Sequence, residues 1–450
     1  MTALDRENKG RNKFWKGVLA GALAMAFAGL AVVGVAAGIS MIGRTVIDSQ
    51  GQMISNSASG ADASGGLDLN RISSKIQLLE KVADEYFLFD VNEEDMEAGI
   101  YKGMLAGLDD PYTTYYTAEE YQAMTEETEG VYCGIGVLIS QSVESGIITV
   151  LRVFPGSPAE EAGIRKGDIL YKVGDLLAYE QDLELLVEQY IRGEEGTYTD
   201  LTILRDGQQL PVHVERRMVE NMTVESQLLP DKTGYVMVTQ FDIVTAEQFI
   251  AAVEELESQG MERLVIDLRD NPGGVVDVCV EMAAYILPEE PFDGTILSTA
   301  NKDGQAERYY CKDGRIFHEV YDGKTRDSRY PIEDGHELDM PIAILMNGMS
   351  ASASEVFAGA LRDYGAAVLV GTTSYGKGIV QSLLPLADGS AVKVTTAHYY
   401  TPDGFDLHGK GLEPDVEVKL ELDADLIGQY DVPLERDNQV QKAIETLKEK

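Results

Sequence analysis

Apolar residues near both ends of the folded part of the chain recur at helical spacing. They occupy one face of a helix at Ile72, Ile76, Leu79, Ala83 and Tyr86, and again at Val440, Ala443, Ile444 and Leu447. Each set therefore predicts an amphipathic helix. We expect the two apolar faces to pack against each other or against a second subunit, so a homodimer is one hypothesis.

Between about Gly130 and Met218, short β-rich runs alternate with turns. The run VLISQSVESGIITVLRVF alternates around residues 144–146 in the manner of a β-hairpin. In the stretch PGSPAEEAGIRKGDIL that follows, residues 158–162 suit a short helix, and Gly163 and Gly167 suit turns. We predict a separate β-rich domain at 130–218.

Beyond Val219, predicted strands and helices alternate. Apolar runs typical of buried strands are GYVMVTQF, RLVIDLRD, PIAILMN and AVLVG. Helices are predicted for TAEQFIAAVEELESQG and SASEVFAGALRDYG, and the turn at 271–274 opens another helical run. This order predicts an α/β core at 219–422. A chain of 450 residues is too long for one ordinary domain, so we expect an α/β multidomain protein with helical regions at 67–129 and 423–450.

One apolar segment precedes the folded part. No residue between Lys16 and Arg44 is charged, and this length is enough to cross a hydrocarbon core of about 30 Å as a helix. Five basic residues come before it, so the positive-inside rule puts residues 1–16 in the cytoplasm. We predict a transmembrane helix at 17–43, a flexible Ser- and Gly-rich linker at 44–66, and a single-pass cell-membrane protein whose folded mass is extracytoplasmic. The alternative is a cleaved signal peptide, but such peptides usually have shorter apolar regions.

Charge and composition exclude several classes of function. The formal net charge of −39 would repel nucleic-acid phosphates, so nucleic acid is not an expected partner. The three cysteines lie far apart and show no CxxC spacing, and the five histidines show no metal-binding motif. We expect neither a metal nor another cofactor.

Two residues have the chemistry of a nucleophile and its base. Ser352 lies where a predicted strand ends and a helix begins, and the backbone N–H groups that follow it are free to bind an oxyanion. No histidine has a local signature that recommends it as the base. Lys377 lies between two glycines and beside apolar Ile379 and Val380, which favours removal of water. Lysine acts as a base near pH 7 only if its ordinary pKa of about 10.4 falls by roughly 3 units, and burial must supply that change.

Each of these residues also has a purely structural interpretation. Ser352-Ala353-Ser354-Glu355 is a capping box, in which the hydroxyl would cap its own helix. Lys377, taken alone, would be a solvated loop lysine. The context in the rest of the chain favours the chemical interpretation of both.

The β-rich region resembles a PDZ domain. The match rests on the stretch SPAEEAGIRKGD and on the loop Tyr132-Cys133-Gly134-Ile135-Gly136-Val137. Glycines in such a loop expose backbone N–H groups to a peptide carboxylate, and the neighbouring strand edge pairs with the peptide. The resemblance implies that polypeptides with free C-termini are bound here, and the alternative is a β-domain with no ligand.

The whole chain from about residue 70 to 420 resembles the carboxyl-terminal processing proteases, the tail-specific peptidases of family S41. The resemblance rests on GLDDPYTTY, DLRDNPGG, NGMSASASE, SYGKGIVQ and HGKGLEPD, in the order of that family. It implies a ClpP/crotonase-like protease core. It also implies Ser352 as the nucleophile, Lys377 as the base and Gln381 as the residue that orients the lysine. One oxyanion-hole N–H would come from Ala353, and the second from Gly273 or Gly274.

The predicted function is a membrane-anchored serine endopeptidase that captures C-terminal tails with its PDZ domain and forms an acyl-enzyme. The alternative is a non-catalytic PDZ adaptor that tethers peptide ligands at the membrane. An acyl-CoA enzyme on a crotonase-like core is a second alternative, but neither a PDZ domain nor an external location suits it.

Overall fold

The computed structural model describes residues 66–142, 145–287, 294–312, 315–320, 325–327, 338–423 and 432–449. The predicted cytoplasmic tail and membrane span lie outside these residues, as does the linker apart from its last residue. Among the helices that fall within the described ranges, none combines the length and the apolar character needed to cross a membrane. The span at 17–43 therefore stays a prediction.

The described residues belong to two compact units. Of the described residues, the smaller unit contains 66–121 together with Leu383–Val394. Its elements are helix α1 (Leu69–Tyr86), helix α2 (Glu93–Ala106) and strand β1 (Thr114–Tyr116), and β1 pairs antiparallel with Ala391–Lys393. The side chain of Asp68 caps α1 by accepting a hydrogen bond from the N–H of Arg71. The apolar stripe predicted at 72–86 does form a helix, but α1 has no buried residue.

The larger unit contains Gln122–Ser382 and Thr395–Lys450 and begins with a β-rich part. Strands β3, β4, β5, β7 and β8 form an antiparallel sheet in that order, with β6 beside β5, while β2 pairs with β9. The elements are α3 (Ala118–Glu129), β2 (Val131–Gly134), β3 (Val137–Gln141), β4 (Ile148–Val153), α4 (Pro158–Glu161), β5 (Ile169–Val173), β6 (Leu176–Leu177), α5 (Leu183–Leu186), β7 (Tyr198–Arg205), β8 (Gln208–Glu215) and β9 (Arg217–Glu220). Strand β3 is an edge strand of this sheet.

The α/β part of the larger unit is built on a six-stranded sheet in the order β10-β11-β12-β17-β18-β21. Only β10 and β11 are antiparallel, and the other four pairings are parallel. The elements from here to the end of the chain are β10 (Val224–Leu228), β11 (Thr233–Val238), α6 (Thr245–Ser258), β12 (Arg263–Asp267), α7 (Val276–Ile286), β13 (Gly294–Asn301), β14 (Ala306–Lys312), β15 (Arg315–Glu319), β16 (Thr325–Asp327), β17 (Ile342–Met346), α8 (Ala353–Asp363), β18 (Ala367–Gly371), β19 (Ile379–Pro385), β20 (Ala391–Tyr400), β21 (Val416–Glu417) and α9 (Asn438–Lys448). Strands β20, β13, β14, β15 and β16 pair in that order in a second, antiparallel sheet.

Both faces of the six-stranded sheet are covered, as is usual for parallel strands. Alternate residues of β12, such as Leu264 and Ile266, pack with α6, α7 and α8 in the main core. Val265, between them, belongs to the opposite face, where helix α9 packs. The period of two that separates the faces follows from the pleat of a strand.

Helix α9 buries its apolar stripe against its own sheet. Val440, Ala443, Ile444 and Leu447 pack with Tyr235 and the residues of that face. We had expected this stripe to pack against α1 or a second subunit, but in the structure it packs against the sheet. The apolar face of α9, one of the two surfaces on which the homodimer hypothesis was based, is therefore already buried within the chain.

Candidate active site

Three loops meet at the carboxyl ends of the parallel strands β12, β17 and β18, where ligands usually bind in open α/β sheets. Hydrogen bonds fix these loops to one another. The Ser350 hydroxyl donates to the Leu268 carbonyl at 2.7 Å, and the Ala351 N–H donates to the Asn271 carbonyl at 3.0 Å. The Tyr375 N–H donates to the Ser350 carbonyl at 2.9 Å. The segments that contain the predicted nucleophile, base and oxyanion donors thus form one connected framework.

Ser352 occupies a strained turn between β17 and α8. Its φ is +55°, in the left-handed region that serine rarely adopts, and such strain costs about 1–3 kcal/mol. The residue is completely buried. Within the described part of the chain its Oγ has no hydrogen-bond partner. The hydroxyl is therefore available to a base.

The capping box of the sequence is only half used. Residues 352–355 have the arrangement of that motif, and the Glu355 carboxylate accepts a hydrogen bond from the Ser352 N–H at 2.9 Å. The Ser352 hydroxyl points toward the first turn, but in the described structure it makes no hydrogen bond of normal geometry there. The glutamate caps, and the hydroxyl does not.

The Glu355 carboxylate connects the two residues predicted to carry the chemistry. One oxygen, Oε2, accepts the backbone N–H groups of Ser352 and Lys377 at 2.9 and 2.8 Å, so the two nitrogens lie under about 6 Å apart. The other, Oε1, accepts the Ser374 hydroxyl at 2.5 Å and the Gly376 N–H at 2.7 Å. Burial raises the pKa of Glu355, while these four hydrogen bonds act in the opposite direction. The sequence indicated Glu355 only as a helix cap. Its second role, holding the loop that contains Lys377, depends on residues about 20 positions later in the chain.

Lys377 lies in the loop between β18 and β19 and is buried, with 3% of its surface exposed. The alternative of a solvated loop lysine therefore does not hold. Its neighbours Ile379 and Val380 are also buried. The environment around this lysine has the low access to water that a neutral amine requires.

Gln381 lies in β19, four residues after Lys377, and is 1% exposed. Its Nε2 donates to the Ile379 carbonyl at a long 3.4 Å. Its Oε1 has no hydrogen-bond partner among the described residues. A buried amide oxygen without a donor is costly, so this acceptor is available to a neighbouring amine.

The two glycines predicted as alternative oxyanion donors differ in their hydrogen bonds. The Gly273 N–H donates to Asn271 Oδ1 at 2.9 Å, whereas the Gly274 N–H finds no acceptor among the described residues. Gly273 lies so close to the nucleophile that a Cβ there would come within 2.9 Å of the Ser352 Cβ and the Ala353 N. Its φ of +103° also requires glycine. The loop therefore brings backbone right up to the Ser352 turn.

A buried ion-pair network holds this loop from behind. The Arg269 guanidinium binds Asp267 through two nitrogens and also reaches Asp437 Oδ2 at 2.8 Å and Gln439 Oε1 at 2.9 Å. Asp437 is the N-cap of helix α9. The C-terminal helix is thus tied to the strand end that leads into residues 271–274. Nothing local in the sequence pairs Arg269 with a residue 168 positions away.

The loop predicted to capture peptide carboxylates lies between β2 and β3 of the β-rich part. Tyr132, Cys133 and Gly134 are in β2, Val137 starts β3, and Ile135 and Gly136 form the turn between them. The carbonyls of Ile135 and Gly136 accept hydrogen bonds from Ala159 and Phe154, but their N–H groups have no backbone acceptor in the described residues. This loop therefore places two N–H groups without a backbone acceptor next to β3, an edge strand of its sheet.

Comparisons with known proteins agree with these features. Residues 232–418 match the model of "Peptidase family S41", and residues 134–215 match that of the "PDZ domain". A CtpA-like serine protease of Staphylococcus epidermidis is 32% identical over 366 residues, which covers 81% of this chain and 68% of that protein. A CtpA-like serine protease of Staphylococcus aureus is also 32% identical, over 367 residues and the same shares of the two chains. A crystal structure of a Bacteroides fragilis protein assigned to the S41 proteases has the same fold, with a TM-score of 0.52 at 14% identity, over 87% of this chain and 99% of that one.

Proposed function

The chain belongs to peptidase family S41, as a PDZ-containing carboxyl-terminal processing protease, and on this basis we propose that it is a serine endopeptidase with a Ser-Lys mechanism. Ser352 is the nucleophile and Lys377 the base in this proposal. The observation that carries it is the single carboxylate oxygen of Glu355 that holds the backbones of both residues. A structural serine and a structural lysine from distant loops would not need a shared anchor.

The chemistry follows from burial and strain. Neutral Lys377 takes the proton from Ser352 Oγ, which attacks the scissile carbonyl and forms an acyl-enzyme. The protonated lysine returns that proton to the leaving amine, and water then hydrolyses the acyl-enzyme. The Ser352 hydroxyl has no hydrogen-bond partner among the described residues, so no competing hydrogen bond holds it.

Three further groups complete the proposed site. The N–H groups of Ala353 and Gly274 stabilise the oxyanion, since the N–H of Gly273 is already bound to Asn271. The unused Oε1 of Gln381 accepts a hydrogen bond from the lysine amine without a negative charge that would favour the ammonium form.

The substrates of this proposal are polypeptides with free C-termini. The free N–H groups of the loop at 135–136 bind the terminal carboxylate, and the peptide adds to the edge of β3 as a further strand. The segment at 17–43 anchors the protein in the cell membrane, with the protease on the extracytoplasmic side. A carbonate wash that released the full-length chain from membranes would contradict the anchor.

The test compares four variants of the full-length protein in detergent on a disordered peptide. Ser352→Ala and Lys377→Met should lose at least 1,000-fold in kcat/KM. Ser258→Ala and Lys442→Met, at exposed helix positions, are the matched controls and should keep wild-type activity.

Two outcomes would overturn the proposal. If the Ser352→Ala protein still cleaved the peptide, Ser352 could not be the nucleophile. A wild-type protein that binds the peptide but leaves it intact would favour the PDZ adaptor instead.

A further inference from the structure

Tyr399 is a buried tyrosine whose hydroxyl lies between the two residues proposed to carry the chemistry. It belongs to β20 and is 2% exposed. Its hydroxyl contacts the backbone carbonyl of Ser352 at 3.0 Å and that of Lys377 at an even shorter distance. A hydroxyl has one proton to donate, so these two carbonyls share it.

The same residue also holds the loop of the proposed base through its backbone. The Tyr399 N–H donates to the Gly378 carbonyl at 3.1 Å. Two successive carbonyls, of Lys377 and Gly378, are thus held by one residue of a regular strand. The peptide that carries the lysine side chain cannot rotate without breaking at least one of these bonds.

The contact with Ser352 acts on a strained peptide. The left-handed φ of Ser352 persists only if its surroundings hold it. Glu355 binds the N–H of this residue and Tyr399 binds its carbonyl, so the strained residue is held on both sides. The same arrangement occurs at Lys377, where Glu355 accepts a hydrogen bond from the N–H and Tyr399 donates one to the carbonyl.

We propose that Tyr399 is a positioning residue, whose hydroxyl sets the distance and direction between Ser352 Oγ and the Lys377 amine. The proposal rests on the Ser-Lys mechanism proposed above. The Tyr399 hydroxyl contacts the backbone carbonyls of Ser352 and Lys377, so in this proposal it acts through these two residues and not on the substrate. Loss of its hydroxyl therefore acts on the rate of the chemical step and leaves substrate binding unchanged.

The experiment is Tyr399→Phe in the full-length protein, assayed on the same disordered peptide. A misplacement of about 1 Å costs on the order of 100-fold in rate, so we expect kcat to fall 10- to 100-fold with KM within twofold of wild type. Tyr400→Phe is the matched control, since adjacent residues of a strand face opposite sides; its kinetics should be those of wild type. The thermal midpoint by circular dichroism shows whether each variant is folded.

A rescue experiment distinguishes loss of the positioning hydrogen bonds from a general loss of packing around residue 399. p-Aminophenylalanine at position 399 keeps the ring and restores a donor, so it should recover kcat to within about threefold of wild type. This arm also decides the matter if Tyr399→Phe does not fold. A folded p-aminophenylalanine protein with kcat below a tenth of wild type would contradict the proposal.

The remaining outcomes are equally decisive. A folded Tyr399→Phe protein with wild-type kcat, or one with raised KM and unchanged kcat, would overturn the positioning role while leaving the Ser-Lys mechanism intact. Activity in Ser352→Ala would instead overturn the mechanism, and the role of Tyr399 with it.

Discussion

Replacement of Glu355 by glutamine tests how much the shared carboxylate contributes to the site. The amide keeps the shape of the side chain but exchanges one acceptor oxygen for an NH2 group. All four groups around the carboxylate donate hydrogen bonds in the native protein, two to each oxygen. Whichever way the amide turns, two donors face an NH2 group instead of an acceptor.

The two orientations have different costs, and the difference sets the expected result. If the NH2 group replaces Oε2, the N–H groups of Ser352 and Lys377 both lose their acceptor. If it replaces Oε1, the Ser374 hydroxyl, which already accepts the Leu412 N–H, can turn and accept from the amide with its second lone pair. The Gly376 N–H is then the one backbone donor of the four groups that loses its acceptor. A buried donor without a partner costs about 1–3 kcal/mol. We therefore expect the second orientation, a loss of about 1–3 kcal/mol in the free energy of unfolding, and partial retention of activity.

Urea unfolding followed by circular dichroism measures the change in the free energy of unfolding of the whole protein. Hydrogen exchange at the Lys377 amide measures the change in stability of the lysine loop alone. Glu355→Met, which offers no acceptor to any of the four donors, should be inactive. Equal activity and equal unfolding free energy in wild type, Glu355→Gln and Glu355→Met would refute the reasoning.

Three further predictions follow from other parts of the structure. Burial, with a smaller effect of Glu127, raises the pKa of Asp242 to about 7. The protonated carboxyl therefore contributes fully to the free energy of unfolding below about pH 4, and this contribution is lost as the pH rises to about 7. A difference of three pKa units sets its upper bound at about 4 kcal/mol. Asp242→Asn, which keeps an oxygen for the Asn221 amide, should match wild type in urea at pH 4 and exceed its stability at pH 8, and a pH-independent difference would contradict this. Arg269→Met leaves the carboxylates of the network buried without their partner and should cost about 3–5 kcal/mol of unfolding free energy, whereas unchanged urea midpoints would show that the network contributes nothing. Amidation of a substrate peptide's C-terminus should lower kcat/KM about tenfold by removing charge-assisted hydrogen bonds, and equal rates for the acid and amide forms would exclude carboxylate capture.

The regular elements could be predicted because their signals are local. The run TAEQFIAAVEELESQG predicts a helix closed by Gly260, and α6 ends at Ser258 with Gly260 at a φ of +85°. The four buried strands of the core appear as β11, β12, β17 and β18. Apolar runs and turn residues determine such elements directly.

The way these elements combine could not be predicted in the same way. Leu383–Val394 lies within the predicted core at 219–422, and no local signal indicates that this stretch groups with the N-terminal helices. The C-terminal stripe was expected at a helix pair or a subunit interface, yet it covers the free face of the six-stranded sheet. An amphipathic pattern shows that a face must be buried but not which surface buries it.

The candidate site shows the same division. Ser352 and Lys377 could be singled out from residue type, local environment and family resemblance. Apart from the short capping contact and the contact with Asp267, the roles of Glu355, Tyr399 and Arg269 depend on residues at least 19 positions away. No local sequence pattern indicates these contacts. The choice between Gly273 and Gly274 likewise required the hydrogen bond from Gly273 to Asn271.

The two interpretations of the SASE segment, helix cap and nucleophile, are compatible once the geometry is known. A helix N-terminus needs acceptors for its free N–H groups, and a serine hydroxyl that supplied one would be held by the helix. Here the N–H groups of Ser354 and Glu355 donate to the backbone carbonyls of Ala351 and Ser352 instead. The Glu355 carboxylate accepts the N–H of Ser352 itself, whose backbone is left-handed. The strain of that turn, about 1–3 kcal/mol, is offset by a carboxylate that also holds the lysine loop. The hydroxyl of Ser352 is thus not needed as a helix cap and is available for chemistry, while the Glu355 carboxylate holds the strained residue through its N–H. The roles of Ser352 and Glu355 can therefore be assigned only together.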